Sequence, residues 1–218
     1  MIRLSKVTKT LVQCDFDGTI TEEDVSFMLL DAFADGDWRQ MLKEHQEGKI
    51  SVGRFNTDAF AMVKADKKSL LEVAKGKVKI RPGFQELVAC CHRKGFRLVI
   101  VSNGLDFYIK GILRDIGARD IKVFAAQTRF HPEGLKVQYI GPDGSHLDED
   151  FKGSYVNSFL GQGYRIIYVG NGTSDIPPAK RCHYVFATGN MAAHCKRINL
   201  GCASFTDFNE VVKDLELL

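Results

Sequence analysis

The chain has 218 residues, 44% of them hydrophobic, with 30 Lys and Arg against 27 Asp and Glu and a formal charge of +3. That is enough apolar material for a full core, in one domain or one domain carrying an insertion, without metals or disulfides as staples. A near-even charge with no Lys/Arg block and no basic stripe interleaved with aromatics argues against nucleic acid as a partner, and no apolar run reaches membrane-spanning length.

The opening MIRLSKVTKT lacks the apolar stretch and cleavage site of a signal peptide, so a cytoplasmic location is expected. The six cysteines (Cys14, Cys90, Cys91, Cys182, Cys195, Cys202) form no C-x-x-C pair, and several sit in apolar runs where a reduced thiol acts as a small hydrophobe.

In chain order, TLVQC at 10–14 is the first short, apolar, β-branched run. RLVIVS at 97–102, IKVFA at 121–125, RIIYVG at 165–170 and YVFAT at 184–188 repeat the type. Each reads as a strand buried on both faces. Helical patterns separate them: Phe84 to Lys94 after Pro82, Phe107 to Ile116, Phe151 to Leu160, and Ser174 to Arg181. Strands alternating with helices predict a doubly wound parallel α/β sheet.

Residues 22–79 break the alternation. They hold no strand-like run but four helical ones, Val25–Phe33, Trp38–Glu47, Val52–Val63 and Lys68–Ala74, punctuated by Gly36, Gly48 and Gly76, with Ser51 and Asp66 as N-caps. A helical insertion is expected there, leaving 1–21 and 80–218 as the core. A second interruption, about 127–150, has alternating runs around P-E-G and P-D-G turns and predicts a β-hairpin flap.

The segment Asp15-Phe-Asp17-Gly-Thr19 follows the first expected strand, at the end where open α/β sheets bind ligands. Two carboxylates two residues apart suit a nucleophile, Asp15, and a general acid and base, Asp17, whose environments hold their proton affinities apart. D-x-D-G also serves as a plain turn. Three further segments weigh for chemistry. Ser102-Asn103-Gly104 offers a hydroxyl and backbone N–H groups to a phosphate oxygen. Lys152 begins a helical pattern, where its ammonium can favour ionised Asp15 and neutralise a phosphoryl group. The run Gly170-Asn171-Gly-Thr-Ser-Asp175 carries two oxygen-bearing side chains four residues apart, a donor type that suits Mg²⁺.

In that order, D-x-D-x-T, Ser, Lys and G-[DN]-G-x-x-D, the chain resembles the haloacid dehalogenase superfamily over nearly its whole length. The resemblance implies a Rossmann-like core with a helical cap at 22–79, and a phosphatase that hydrolyses a small phosphorylated metabolite through a phosphorylated Asp15. It implies Asp17 as general acid and base, with Thr19, Ser102 and Lys152 holding the phosphate, beside the backbone N–H groups offered at Asn103 and Gly104. It also implies Mg²⁺ on Asp15, the Asp17 carbonyl and Asn171, with Asp175 in support.

The cap resembles that of the phosphoserine phosphatase-like branch. Within it, CDFDGTITEED at 14–24 is most similar to the MtnX-like phosphatases of methionine salvage, which act on a methylthio-ketopentenyl phosphate. Phosphoserine phosphatases carry Glu where this chain has Asp24, and a cap arginine for which Arg54 is the nearest match. Arg54 also reads as a solvated cap residue. The family's usual Asp is Asn171 here, a neutral ligand in place of a charged one. A phosphoserine phosphatase, or a phosphometabolite-binding protein with impaired catalysis, are the alternatives.

Overall fold

The computed structural model describes residues 9–218. The opening residues 1–8, assigned to the core on sequence grounds, lie outside that range. Among the described residues seven strands form one sheet: β1 (Thr10–Cys14), β2 (Arg97–Leu105), β3 (Lys122–Arg129), β4 (Lys136–Gln138), β5 (Arg165–Gly170), β6 (Tyr184–Ala187) and β7 (Ala203–Ser204). Their order is β4-β3-β2-β1-β5-β6-β7, parallel throughout except for β4 against β3.

The chain leaves β1 for β2 on one side and later returns to β5 on the other. The crevice between the C-terminal ends of β1 and β5 is therefore the topological switch point, where doubly wound sheets take their ligands. Register puts Cys14 beside Val169, so the residues after each strand, Asp15 and Gly170 onward, emerge together. The strands hold there because their apolar side chains are buried: Leu11, Val12, Ile100, Val101, Ile166 and Val169 are all fully buried. Each such side chain is worth about 1.5–3 kcal/mol relative to exposure.

Four helices, α1 (Val25–Phe33), α2 (Trp38–Gln46), α3 (Val52–Ala61) and α4 (Lys67–Lys77), lie between β1 and the next core helix, α5 (Phe84–Arg93). Asp24, Asp37, Ser51 and Asp66 cap their N-termini by accepting backbone N–H groups. The chain enters and leaves this insertion through a paired neck: Thr21 bridges Ile80, and the Glu22 N–H donates to the Lys79 carbonyl at 2.9 Å.

The remaining helices are α6 (Asp106–Asp115), α7 (Phe151–Gly161), α8 (Ile176–Ala179), α9 (Gly189–Ile198) and α10 (Phe208–Glu216).

Four local expectations change. The run 121–125 is not buried on both faces, since β3 lies near the sheet edge, where Lys122 is exposed and Val123 and Phe124 are half-buried. β2 runs three residues past its expected end at Ser102, through Asn103 and Gly104 to Leu105, with its pairing to β3 interrupted between Val101 and Leu105. The helix expected at Ser174–Arg181 is a 3-10 turn, Thr173–Asp175, followed by the single turn α8. Pro177 and Pro178 lack the N–H that a longer helix would need and fit only its first turn.

The hairpin at 127–138 is present but is not a free flap. β3 and β4 belong to the main sheet, and the Leu135 N–H donates to the Phe60 and Val63 carbonyls at the end of α3.

Candidate active site

Asp15 follows β1, and its N–H donates to the Val169 carbonyl of β5 at 2.9 Å, which fixes it at the switch point. Its carboxylate Oδ2 lies 2.9 Å from Lys152 Nζ, and the same ammonium reaches Asp175 Oδ1 at 2.7 Å. All three side chains are buried.

Lys152 comes from the first turn of α7. Its backbone carbonyl accepts from Gln13 Nε2 at 3.1 Å, and the loop before it is held by Asp150, whose carboxylate pairs with Arg181 at 3.1 and 3.2 Å. Burial alone disfavours the ammonium, but Asp15 and Asp175 outweigh that and raise Lys152 above its usual range, so it stays charged. Burial, with Asp175 adding to it and Lys152 opposing, pushes Asp15 up to about 7.

Asp175 is saturated with donors. Lys152 and the Tyr168 hydroxyl, at 2.7 Å, share Oδ1, while the N–H groups of Asn171 and Gly172 donate to Oδ2 at 3.1 and 2.9 Å. It thereby braces both the turn after β5 and the lysine. A Cβ at Gly170 would lie 2.6 Å from the Asp175 carboxyl carbon, so that close approach requires glycine.

Asp17 accepts two hydrogen bonds of its own. Oδ1 accepts the Val25 N–H at 3.0 Å, and Oδ2 accepts the Tyr108 hydroxyl at 2.5 Å. Burial and then the neighbouring Asp24 raise its proton affinity well above the ordinary carboxylate range, against the Tyr108 hydrogen bond, which lowers it. Asp24 itself is pushed up to about 6 by burial, although the Phe27 N–H it caps opposes the shift.

Ser102 is buried, and its Oγ accepts the Gly104 N–H at 3.1 Å, leaving the hydroxyl hydrogen for another acceptor. The Asn103 carbonyl accepts from Tyr139 and Asn56 at 2.5 and 3.0 Å, while its side-chain Oδ1 is buried without a hydrogen-bond partner. Thr19 is fully buried, and its hydroxyl donates to Asn171 Oδ1 at 3.0 Å, so in this structure it holds Asn171 in place. At Gly18, φ +71°, a Cβ would lie 2.2 Å from the Asn171 amide nitrogen, so the position requires glycine.

Sequence reasoning alone did not find Arg81, which clamps the loop by donating to the Gly18 and Thr19 carbonyls, both at 2.8 Å. It also missed Gln13, Tyr108, Tyr168 and the Asp150–Arg181 pair, none of which has a motif spacing.

Arg54 stands apart from this cluster. It is exposed on α3 and ion-paired to Asp58 one turn on. A cavity of about 510 Å³ opens beside Lys152 and Asn103, with His45 and Val52 from the insertion and Ser174 and Arg181 from the core in its wall.

For a divalent cation the residues present offer oxygen donors alone: the Asp15 carboxylate, the Asn171 amide oxygen and the Asp17 carbonyl. Neighbouring carbonyls of Phe16, Gly18 and Thr19 are taken by Ile20, Thr21 and Arg81, whereas that of Asp17 accepts no hydrogen bond among the described residues. This set fits a hard cation such as Mg²⁺. It carries one carboxylate fewer than an aspartate at 171 would supply, and the described residues contain no group of three or more His, Cys, Asp or Glu side chains suited to a metal.

The switch point of a doubly wound sheet thus holds a buried carboxylate, a charged lysine against it and an oxygen-rich turn. The chain belongs to the haloacid dehalogenase-like hydrolases, whose family model matches residues 12–180.

It is 26% identical over 95% of its length to 2-hydroxy-3-keto-5-methylthiopentenyl-1-phosphate phosphatase of Brevibacillus brevis, covering 96% of that protein. It is 30% identical to Pdp3-interacting factor 1 of Schizosaccharomyces pombe, covering 94% of this chain and 93% of that one. Among solved structures it resembles a phospho-aspartyl intermediate analogue of phosphoserine phosphatase, with a TM-score of 0.70 at 20% identity over 94% of this chain and 98% of the other. At that identity the likeness establishes the fold alone.

Proposed function

We propose that the protein hydrolyses a small phosphate monoester through a phosphorylated Asp15. The observation that carries this reading is the buried triad at the switch point, in which the Lys152 ammonium lies 2.9 Å from Asp15 and 2.7 Å from Asp175.

An Asp15 oxygen attacks phosphorus, the bond to the leaving oxygen breaks, and that oxygen takes a proton from Asp17. A water then attacks the aspartyl phosphate while giving its proton to Asp17, the bond between phosphorus and Asp15 breaks, and inorganic phosphate leaves. The raised proton affinity of Asp17 suits a group that begins as the acid. The Lys152 ammonium, the Ser102 hydroxyl, whose oxygen is held by the Gly104 N–H, and the Asn103 N–H neutralise and orient the phosphoryl oxygens. Mg²⁺, held by Asp15, the Asp17 carbonyl and Asn171, would supply further charge neutralisation at phosphate. Asp175 would support that site from behind.

The four-helix insertion, 22–79, acts as a cap. It supplies His45 and Val52 to the cavity wall, and its closure excludes water during phosphoryl transfer.

The substrate reading favours a methionine-salvage phosphate ester of the kind named for the Brevibacillus relative. Phosphoserine is the weaker fit, because the cap arginine nearest the expected place, Arg54, is tied to Asp58 on an exposed face. Six free thiols and the absence, among the described residues, of any helix long and apolar enough to cross a membrane accord with a cytoplasmic enzyme.

The test is phosphate release from p-nitrophenyl phosphate and a panel of phosphometabolites with Mg²⁺, compared with Asp15→Asn. Turnover in the wild type alone supports the proposal. Metal and phosphate binding with no turnover above the Asp15→Asn control would instead mark a binding protein impaired by Asn171.

A further inference from the structure

Asp17 is gripped from two elements that belong to different parts of the fold. The Val25 N–H, from the first turn of α1 in the insertion, donates to Oδ1 at 3.0 Å, and the Tyr108 hydroxyl, from α6 of the core, donates to Oδ2 at 2.5 Å. Tyr108 has one hydroxyl hydrogen, and it is committed to Asp17. In the 2.8 Å contact between Tyr108 and Ser26 the donor is therefore the serine, which sits beside Val25 in α1. The result is a chain, Ser26 to Tyr108 to Asp17, running from insertion to core and closed by Val25.

Tyr108 is fully buried and Ser26 nearly so. The pairing lies against the β2 backbone: a Cβ at Gly104 would come 2.1 Å from the Tyr108 hydroxyl and 2.2 Å from Asp17 Oδ2. Glycine at 104 is thus what lets the phenol reach the carboxyl at all.

A carboxyl group that gives up a proton and later recovers it must present the same oxygen in the same direction both times. The carboxylate has about four lone-pair sites. Donors that stay donors in both charge states, an N–H on Oδ1 and a hydroxyl on one side of Oδ2, occupy two of them and fix the plane of the group. The mobile proton is left the remaining sites.

We propose that Tyr108, with Ser26 behind it, is a positioning residue for the general acid: the pair fixes the Asp17 carboxyl so that its proton reaches the leaving oxygen, and does so only while the insertion is docked on the core. The inference rests on the phosphatase reading, and deepens it by tying proton donation to cap closure through two named hydroxyls. A merely structural buried tyrosine would satisfy its hydroxyl in the same way, so the test must read the proton-transfer step itself.

The experiment compares wild type, Tyr108→Phe, Ser26→Ala and Ser26→Thr on p-nitrophenyl phosphate, whose leaving group needs no proton, and on an alkyl phosphate, whose leaving group does. Folding is checked by thermal melting. For Tyr108→Phe kcat on the alkyl ester should fall about tenfold or more, part of the roughly 10²–10⁴-fold that a general acid supplies, while kcat on the aryl ester falls less than about threefold. Ser26→Ala should show the same split in weaker form, and Ser26→Thr, which keeps the hydroxyl, should restore turnover of the alkyl ester.

Equal losses on both esters, or full alkyl activity in Tyr108→Phe, overturn the proposal. If Tyr108→Phe does not fold, the contrast between Ser26→Ala and Ser26→Thr decides, and identical behaviour of the two serine variants overturns it. A wild type that hydrolyses neither ester refutes the phosphatase reading itself, an outcome separate from any difference among the variants.

Discussion

Replacing Lys152 by Met removes the charge while keeping an apolar stem of similar length. In the folded protein Lys152 is 4% exposed and lies between two carboxylates that are themselves buried, Asp15 at 2.9 Å and Asp175 at 2.7 Å. Without the ammonium those two acids face each other with no compensating charge. Breaking a buried ion pair from one side costs about 3–5 kcal/mol. For a chain of this size each kcal/mol moves the melting temperature by about 2–4 °C, so a fall of about 6–20 °C is expected for Lys152→Met in metal-free buffer near pH 8.

The loss should depend on pH, with a definite sign. Asp15 already has its proton affinity raised in the folded state, to about 7, and Lys152 opposes that rise. Removing the lysine raises it further. A carboxyl whose folded-state pKa exceeds its unfolded value binds more protons when folded, so its contribution to stability is present at low pH and is lost as pH rises through the folded value. The gap between variant and wild type should therefore be smallest near pH 5 and widen toward pH 8. Thermal or urea unfolding of both proteins with EDTA at the two pH values measures it. A variant as stable as wild type at pH 8, or one whose deficit shrinks as pH rises, would refute the assignment of Lys152 as the buried counter-charge of Asp15 and Asp175.

Asp17→Asn should lower turnover about 10²–10⁴-fold on alkyl phosphates and much less on aryl phosphates, measured as kcat on each; equal losses would count against its acid role. Asn171→Asp adds a formal charge in a partly desolvated crevice, so the half-saturating Mg²⁺ concentration in a turnover or calorimetric titration should fall; unchanged affinity would remove residue 171 from the metal site. Arg54→Ala should leave KM for the preferred phosphate ester unchanged and shift stability by no more than about 1 kcal/mol, because its pair with Asp58 is exposed; a large rise in KM would return Arg54 to the substrate.

The sheet and the inserted helices were legible because their signals are local. TLVQC and RIIYVG are short apolar runs with nothing polar to compete, and β1 and β5 take the same bounds in the structure. Ser51 and Asp66 are N-caps whose side chains accept the backbone N–H groups expected of them.

The C-terminal helix also carries a local signal. Asp207 caps α10, and Phe208, Val211 and Leu215 repeat at helical spacing on a buried face. β7, two residues long, has no periodicity to read. Helix α9 was hidden by Gly189 at its start, with Thr188 as an N-cap whose side chain makes no capping bond.

In the candidate site the motif residues Asp15, Lys152 and Asp175 were legible, and the structure brings them together. What holds them was not. Gln13 looks like one polar residue in a strand, and Tyr108 and Tyr168 like core aromatics. Their functions arise only from pairings 139, 91 and 7 residues apart, set by tertiary packing. The exposed pairing of Arg54 depends on Asp58 one turn later, a spacing the sequence displays but does not distinguish from a substrate contact.

The central claim is that Asp15 carries the phosphoryl group. Its most direct test is rapid acid quench of the wild-type enzyme during turnover of a phosphate ester with Mg²⁺, followed by peptide mass spectrometry across residues 9–21. A phosphate adduct on Asp15 that appears before steady state and is absent in Asp15→Asn is the predicted result. Turnover in the wild type with no adduct at Asp15, or undiminished turnover in Asp15→Asn, would contradict the account.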